Sequence, residues 1–163
     1  MEIKSQKRNN TVLRRLRYAL KISDEKMIEV FSKVGYEIRP FLLRAYLHKE
    51  SHEGFVECPD EALAAFLDGL ILERRGAPRE GASKNCAKEE SLSNNLILKK
   101  LKIALKLREQ DMLQIMEMAE KPVSKSQISA LFRRKGQRNY RPCGNQFLRN
   151  FITGLTYRLR GKS

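Results

Sequence analysis

With 163 residues, 41% of them hydrophobic and 32% charged, the chain has the size and balance of one compact globular domain or two small ones. Its formal charge of +14 favours anionic partners, whether nucleic acid, an acidic protein or an acidic surface. No stretch approaches the ~20 apolar residues of a membrane span, and no signal-peptide-like hydrophobic region follows the polar segment Met1 to Asn10, so no membrane attachment is expected and the expected location is cytoplasmic.

The first predicted helix opens at Asn9-Asn10, read as its cap signal, and carries Val12, Leu13, Leu16, Ala19 and Leu20 at helical spacing. Ser23 and Asp24 open a second helix with Met27, Ile28, Val30 and Phe31, ending near Gly35. Pro40 starts a third through Leu42, Leu43 and Leu47. A polar loop from Glu50 to Glu57 leads to Pro59-Asp60 and a fourth helix. Its apolar stripe is Leu63, Phe66, Leu67, Leu70 and Ile71, Gly76 stops it, and Asp60 is read as a helix-start residue. Ala77 to Ser93, rich in Ala, Gly, Ser, Lys and Glu, reads as a flexible linker. The pattern of four helices then runs again from Asn94 to Gly161.

The recurrence is residue by residue. Asn9-Asn10 falls on Asn94-Asn95, Met27 on Met112, Ala45 on Ala130, Cys58 on Cys143, Phe66 on Phe151, Gly69-Leu70 on Gly154-Leu155 and Arg75-Gly76 on Arg160-Gly161, without a gap. The expected fold is all-α: two tandem four-helix repeats, residues 9–76 and 94–161, joined by the linker 77–93. A unit of roughly 70 residues is marginal alone, so the repeats are expected to pack on each other with pseudo-two-fold symmetry. Gly69 and Gly154 interrupt the fourth helices at a cost of about 1 kcal/mol each relative to Ala, which predicts another helix in close approach there.

The charge is uneven. Residues 1–76 hold 14 basic and 12 acidic side chains, whereas residues 94–163 hold 16 basic and 4 acidic, with no acid after Glu120. Such asymmetry points to nucleic acid or a comparable polyanion. Lys99, Lys102 and Lys106 form one stripe on the first helix of the second repeat, as Arg14, Arg17 and Lys21 do in the first. Stripes of this kind are ordinarily solvated faces. The run Arg133, Arg134, Lys135, Gly136, Gln137, Arg138, Asn139, Tyr140, Arg141 has cations for phosphates, amides for hydrogen bonds and one ring to stack on a base. Its counterpart, His48 to Val56, is nearly neutral. Tyr140 aligns with Phe55, so its ring also suits a core-covering role. Met112 to Met118, the turn Lys121-Pro122-Val123 and Ser124 to Arg134 loosely match a helix-turn-helix presenting Lys125, Gln127 and Arg134. The candidate nucleic-acid-binding residues are therefore Lys99, Lys102, Lys106, Lys125, Arg133, Arg134, Lys135, Arg138, Tyr140 and Arg141. An acidic protein partner explains the charge as an alternative, with the chain as a regulatory adaptor.

Catalytic signatures are missing from the sequence. No Gly-rich phosphate loop, nucleophile elbow or kinase motif occurs. Cys58, Cys86, Cys143, His48 and His52 lack zinc-ligand spacing, and three widely spaced cysteines are not a secreted disulfide framework. Cys58 and Cys143 precede the fourth helices, where a thiol is either activated by the helix terminus or simply buried. The expectation is a non-enzymatic protein with no cofactor and no metal.

The recurring order of motifs is Asn-Asn, a Lys/Arg-rich helix ending Ala-Leu-Lys, an aromatic three residues before Cys, Phe-x-x-Gly-Leu and Arg-Gly. From Asn9 to Gly161 it resembles the YehS family of small bacterial proteins, with Gly54 to Asp60 and Phe66 to Leu70 matching its first-repeat signature and Cys143 to Arg149 its second. The resemblance implies a cytoplasmic, helical, two-repeat protein of unknown function and carries over no catalytic residue.

Overall fold

In this computed structural model the described residues are 3–76 and 91–161, and their regular structure is eight α-helices with no strand. These are α1 (Ile3–Leu20), α2 (Asp24–Ser32), α3 (Pro40–Leu47), α4 (Asp60–Arg75), α5 (Asn94–Ala104), α6 (Glu109–Met118), α7 (Lys125–Leu131) and α8 (Asn145–Arg160). The start signals act as read. Ser23 accepts from Lys26 N–H and Ser124 from Gln127 N–H, and Pro40 occupies the first turn of α3, where its missing N–H costs nothing. Gly76 and Gly161 stop α4 and α8 with φ of 84° and 90°, a region glycine enters without steric cost.

The repeats exchange helices. The first helix of each repeat packs on the last helix of the other, α1 on α8 and α4 on α5, while α2 packs on α4 and α6 on α8. This reciprocity is the expected pseudo-two-fold arrangement. It fuses the apolar stripes into one continuous core, in which Leu13, Leu16, Met27, Phe31 and Phe66 meet Ile97, Leu98, Met112, Ile115 and Phe151. Neither repeat has a separate interior. Gly69 and Gly154 explain themselves: a Cβ at either would overlap a main-chain oxygen, that of Val30 on α2 or that of Ile115 on α6. The absent side chain is what lets the helices touch backbone to backbone.

Several sequence expectations change. Asn9-Asn10 is not a cap, because α1 already begins at Ile3 and both side chains are buried within it. Asn94 is the first residue of α5, and its cap is Ser93. Lys21 and Lys106 do not extend the basic stripes, since both sit at φ 55° just past the helix. Ile22 N–H then donates to Arg17 O and Leu107 N–H to Lys102 O, closing each helix in a Schellman-type turn. The linker expected over 77–93 lies outside the described residues up to position 90. Its last three residues belong to the fold, with Leu92 buried.

Candidate nucleic-acid interface

The candidate residues are held in place by a clamp that recurs in both repeats. Asn10 donates through Nδ2 to Tyr46 O (2.9 Å) and Val56 O (2.8 Å), and its Oδ1 accepts from Cys58 N–H (2.9 Å). Asn95 does the same to Leu131 O (2.9 Å), Arg141 O (2.9 Å) and Cys143 N–H (2.8 Å). One amide thus ties the end of the third helix to both sides of the following loop. The preceding Asn completes the joint: Asn9 donates to Cys58 O and Asp60, and Asn94 to Cys143 O and Asn145. Asp60 therefore does more than start a helix. It accepts from Asn9, from Leu92 N–H at the start of the second repeat and from the half-buried Arg8 guanidinium, which also bridges Asn9 to Asn94. Burial lowers the pKa of Arg8 and the Asp60 carboxylate opposes that.

Fixed at both ends, the loop after α7 turns outward. Arg134 N–H donates to Gln137 Oε1 (2.7 Å), Gln137 N–H to Arg134 O and Tyr140 N–H to Gln137 O, with Gly136 at φ 94° and Asn139 at φ 67°. The Gln137 carbonyl is thereby spent on its own loop instead of on a ligand. Arg133, Arg134, Lys135 and Arg138 project as exposed cations, and none is ion-paired among the described residues. Facing Arg133, Arg134 and Lys135 across an open cleft of about 660 Å³ is Lys99 of α5, with Ser91, Ser93 and Asn95 on its polar wall and the half-buried Tyr140 beside it. Among the described residues, no acidic side chain lines this cleft.

Five of the ten candidates meet there: Lys99, Arg133, Arg134, Lys135 and Tyr140. Lys102 instead lies over the Phe132 ring, 4.5 Å from its centroid, and shares a neighbouring hollow with Arg133 and Glu109. Arg141 borders a smaller hollow beside Cys143, while Lys106, Lys125 and Arg138 are exposed outside the cleft. The helix-turn-helix match fails on geometry. Helix α7 has only 7 residues, Arg134 lies beyond its end, and Gln127 is used in a capping box, accepting from Ser124 N–H. That leaves no recognition helix with three free side chains.

Burial drives the Cys58 and Cys143 thiols up to about 12, and each Sγ donates to the carbonyl of the next residue at 3.6 Å. They are packing groups, not thiolates poised for attack. His48 and His52 stack on each other, ring centroids 3.7 Å apart, and His52 Nδ1 accepts from Gly54 N–H. No three His, Cys, Asp or Glu side chains converge as a metal site among the described residues. Among the same residues no helix is long and apolar enough to cross a membrane.

Two matched segments decide the family: residues 9–76 and 94–161 each fit the family described as "Protein of unknown function (DUF1456)". The chain belongs to the DUF1456 family. It is 37% identical over 150 residues to "Uncharacterized protein YehS" of Escherichia coli (strain K12), covering 92% of this chain and 95% of that protein. No solved structure matches it. The two family segments coincide with the pseudo-symmetric halves, and the Asn pair, the Cys and the helix-crossing Gly recur in both.

Proposed function

We propose that this protein is a non-enzymatic nucleic-acid-binding protein that engages phosphates through the cleft of its second repeat. The observation that carries this reading is the cleft wall itself. Lys99, Arg133, Arg134 and Lys135 converge with no acid among the described lining residues, and Phe132 and Tyr140 supply rings. On the equivalent loop of the first repeat, Arg133, Lys135 and Arg138 are replaced by His48, Glu50 and Glu53. A cleft of this kind suits sequence-independent backbone contact, because cations on phosphates position a strand without reading its bases.

The test is binding to duplex DNA and to RNA across a salt series, using protein stripped of nucleic acid. Four cleft cations set an expected slope of log affinity against log salt of about −3.6 for a duplex, from roughly −0.9 per phosphate neutralised. Arg133→Glu, Arg134→Glu and Arg138→Glu together should abolish binding at physiological salt. Changes at His48, Lys49 and Glu53 should leave it unaltered. A flat salt dependence, or binding indifferent to the triple change, overturns the proposal. Absence of nucleic-acid binding at low salt overturns it too, and directs the search to an acidic protein partner.

A further inference from the structure

We propose that the groove between α1 and α8 is a separate binding site for single-stranded nucleic acid, with Arg15 and Arg149 on phosphates and Tyr18 stacked on a base. Two hollows of about 400 Å³ each lie end to end along this helix crossing and share Arg15. One is lined by Thr11, Leu148, Arg149 and Ile152, the other by Arg14, Tyr18, Thr153 and Thr156, and among the described residues no acid lines either. From Thr11 to Tyr18 the groove runs about 10 Å, the length of about three stacked nucleotides. It shares no lining residue with the cleft at Lys99 and Arg133. With the proposed function it has in common only the class of ligand.

The fold supplies its own comparison. The α4–α5 crossing is the pseudo-equivalent of α1–α8. There Lys100, the counterpart of Arg15, is neutralised by Asp68, whereas Arg15 donates to the neutral Thr153 hydroxyl at 3.0 Å. The counterparts of Tyr18, Arg149 and Thr156 are Ile103, Ala64 and Ile71. One helix crossing is thus built twice, and the copy without the exposed tyrosine and without arginines bonded only to neutral groups, Arg15 to Thr153 and Arg149 to Gln146, packs as well. Tyr18 is 58% exposed, so its ring is not a core element. Arg160 lies over that ring, 4.0 Å from the centroid, and donates to Tyr18 O at 3.0 Å, presenting an aromatic and a guanidinium plane together. Aromatic and guanidinium planes are the platforms on which unpaired bases stack, whereas a duplex keeps its bases stacked on one another. Arg14 and Arg15 are adjacent, and after burial the Arg15 charge is the next cause holding Arg14 below the usual guanidinium range. A bound phosphate relieves that repulsion.

The chain contains no Trp, so a Tyr18→Trp variant carries a single indole at the site. Titrated with an oligothymidylate strand, its fluorescence should be quenched on binding, and a hairpin duplex should leave it unquenched. Arg15→Gln with Arg149→Gln should weaken strand binding about tenfold, with duplex binding held within about twofold. Arg133→Glu with Arg134→Glu should do the reverse, weakening the duplex and leaving the indole quench. An indole still bright when strand anisotropy shows saturation overturns the groove assignment, as does strand affinity indifferent to the two glutamines. Loss of duplex binding in the groove variant overturns the assignment of the groove to single strands, whereas duplex binding indifferent to Arg133→Glu with Arg134→Glu sinks the cleft reading and leaves this one. Circular dichroism melts of each variant separate lost contact from lost fold.

Discussion

Replacing Asn10 by Ala removes three hydrogen bonds at once and strands the Tyr46 carbonyl, the Val56 carbonyl and the Cys58 N–H. Asn10 is 2% exposed, so the Tyr46 and Cys58 groups lose their partner where water has no path. The residue Val56 is exposed and its carbonyl rehydrates. Two orphaned buried groups at roughly 1–3 kcal/mol each give a cost of about 4 kcal/mol, a large share of the ~5–15 kcal/mol that holds a domain. Asn95→Ala breaks the same three bonds, but Asn95 is half-buried and its bond to Arg141 is exposed, so about 2 kcal/mol is expected. Asn10→Asp should be worse than Ala, because it sets a carboxylate against two carbonyl oxygens. Urea unfolding followed by circular dichroism measures all three, with a constant m-value confirming a like-for-like comparison. A cost below about 1 kcal/mol for Asn10→Ala, or an Asn95→Ala cost exceeding it, refutes the reasoning.

Gly69→Ala and Gly154→Ala should each destabilise by about 1–3 kcal/mol, despite the helix propensity gained, because the new methyl meets a backbone oxygen; thermal melts show the loss. In a Cys86→Ser background the folded protein should resist a disulfide thiol probe at pH 8 until denaturant is added, since burial holds Cys58 and Cys143 protonated to about pH 12. The same shift has a sign. An unfolded thiol ionises near pH ~8.5, so the unfolded chain sheds protons first, and stability should fall as pH climbs from about 9 to 12. A Cys58→Ala, Cys143→Ala double variant should show less of that fall. Residues 94–163 expressed alone should lack a cooperative thermal transition, because α5 and α8 lose the helices α4 and α1 that cover them.

The sequence carried the architecture because a repeat is visible without any partner: periodicity, paired glycines and the recurring Cys specified eight helices and their equivalence. Asn9-Asn10 misled for a physical reason. An Asn before an apolar run is a local capping signal, whereas its actual partners, Tyr46, Val56 and Cys58, lie dozens of residues away. The available clue was identity of both Asn residues in both copies, more than a cap demands. Lys106 was placed on a helix by extrapolating a period through a residue that the backbone turns into the left-handed region. The cleft was half legible. The acid-free run named Arg133, Arg134 and Lys135, but only packing of the loop against α5 brought Lys99 to them and left Lys125 outside. Arg15, Tyr18 and Arg149 went unread because the α1–α8 groove joins the two ends of the chain.

The internal duplication also separates what the scaffold needs from what it merely carries. Positions held alike in both repeats, the Asn pair, Cys58 and Cys143, Gly69 and Gly154, have structural partners that account for them. The exposed cations of the loop beside the cleft have none among the described residues. His48, Lys49 and Glu53 stand on the first repeat's loop where Arg133, Arg134 and Arg138 stand on the second, and both loops keep the same turn, Phe55 N–H to His52 O and Tyr140 N–H to Gln137 O. The loop's shape therefore does not depend on those charges, and their mutual repulsion opposes the folded state. Arg133→Glu, Arg134→Glu and Arg138→Glu should leave unfolding free energy within about 0.5 kcal/mol of the parent, or raise it. If the triple variant instead lost more than about 1 kcal/mol, the cations would be holding the loop in place. Its failure to bind nucleic acid would then report a damaged fold and not a lost contact. Stability retained with binding lost is the combination that assigns these residues to a ligand.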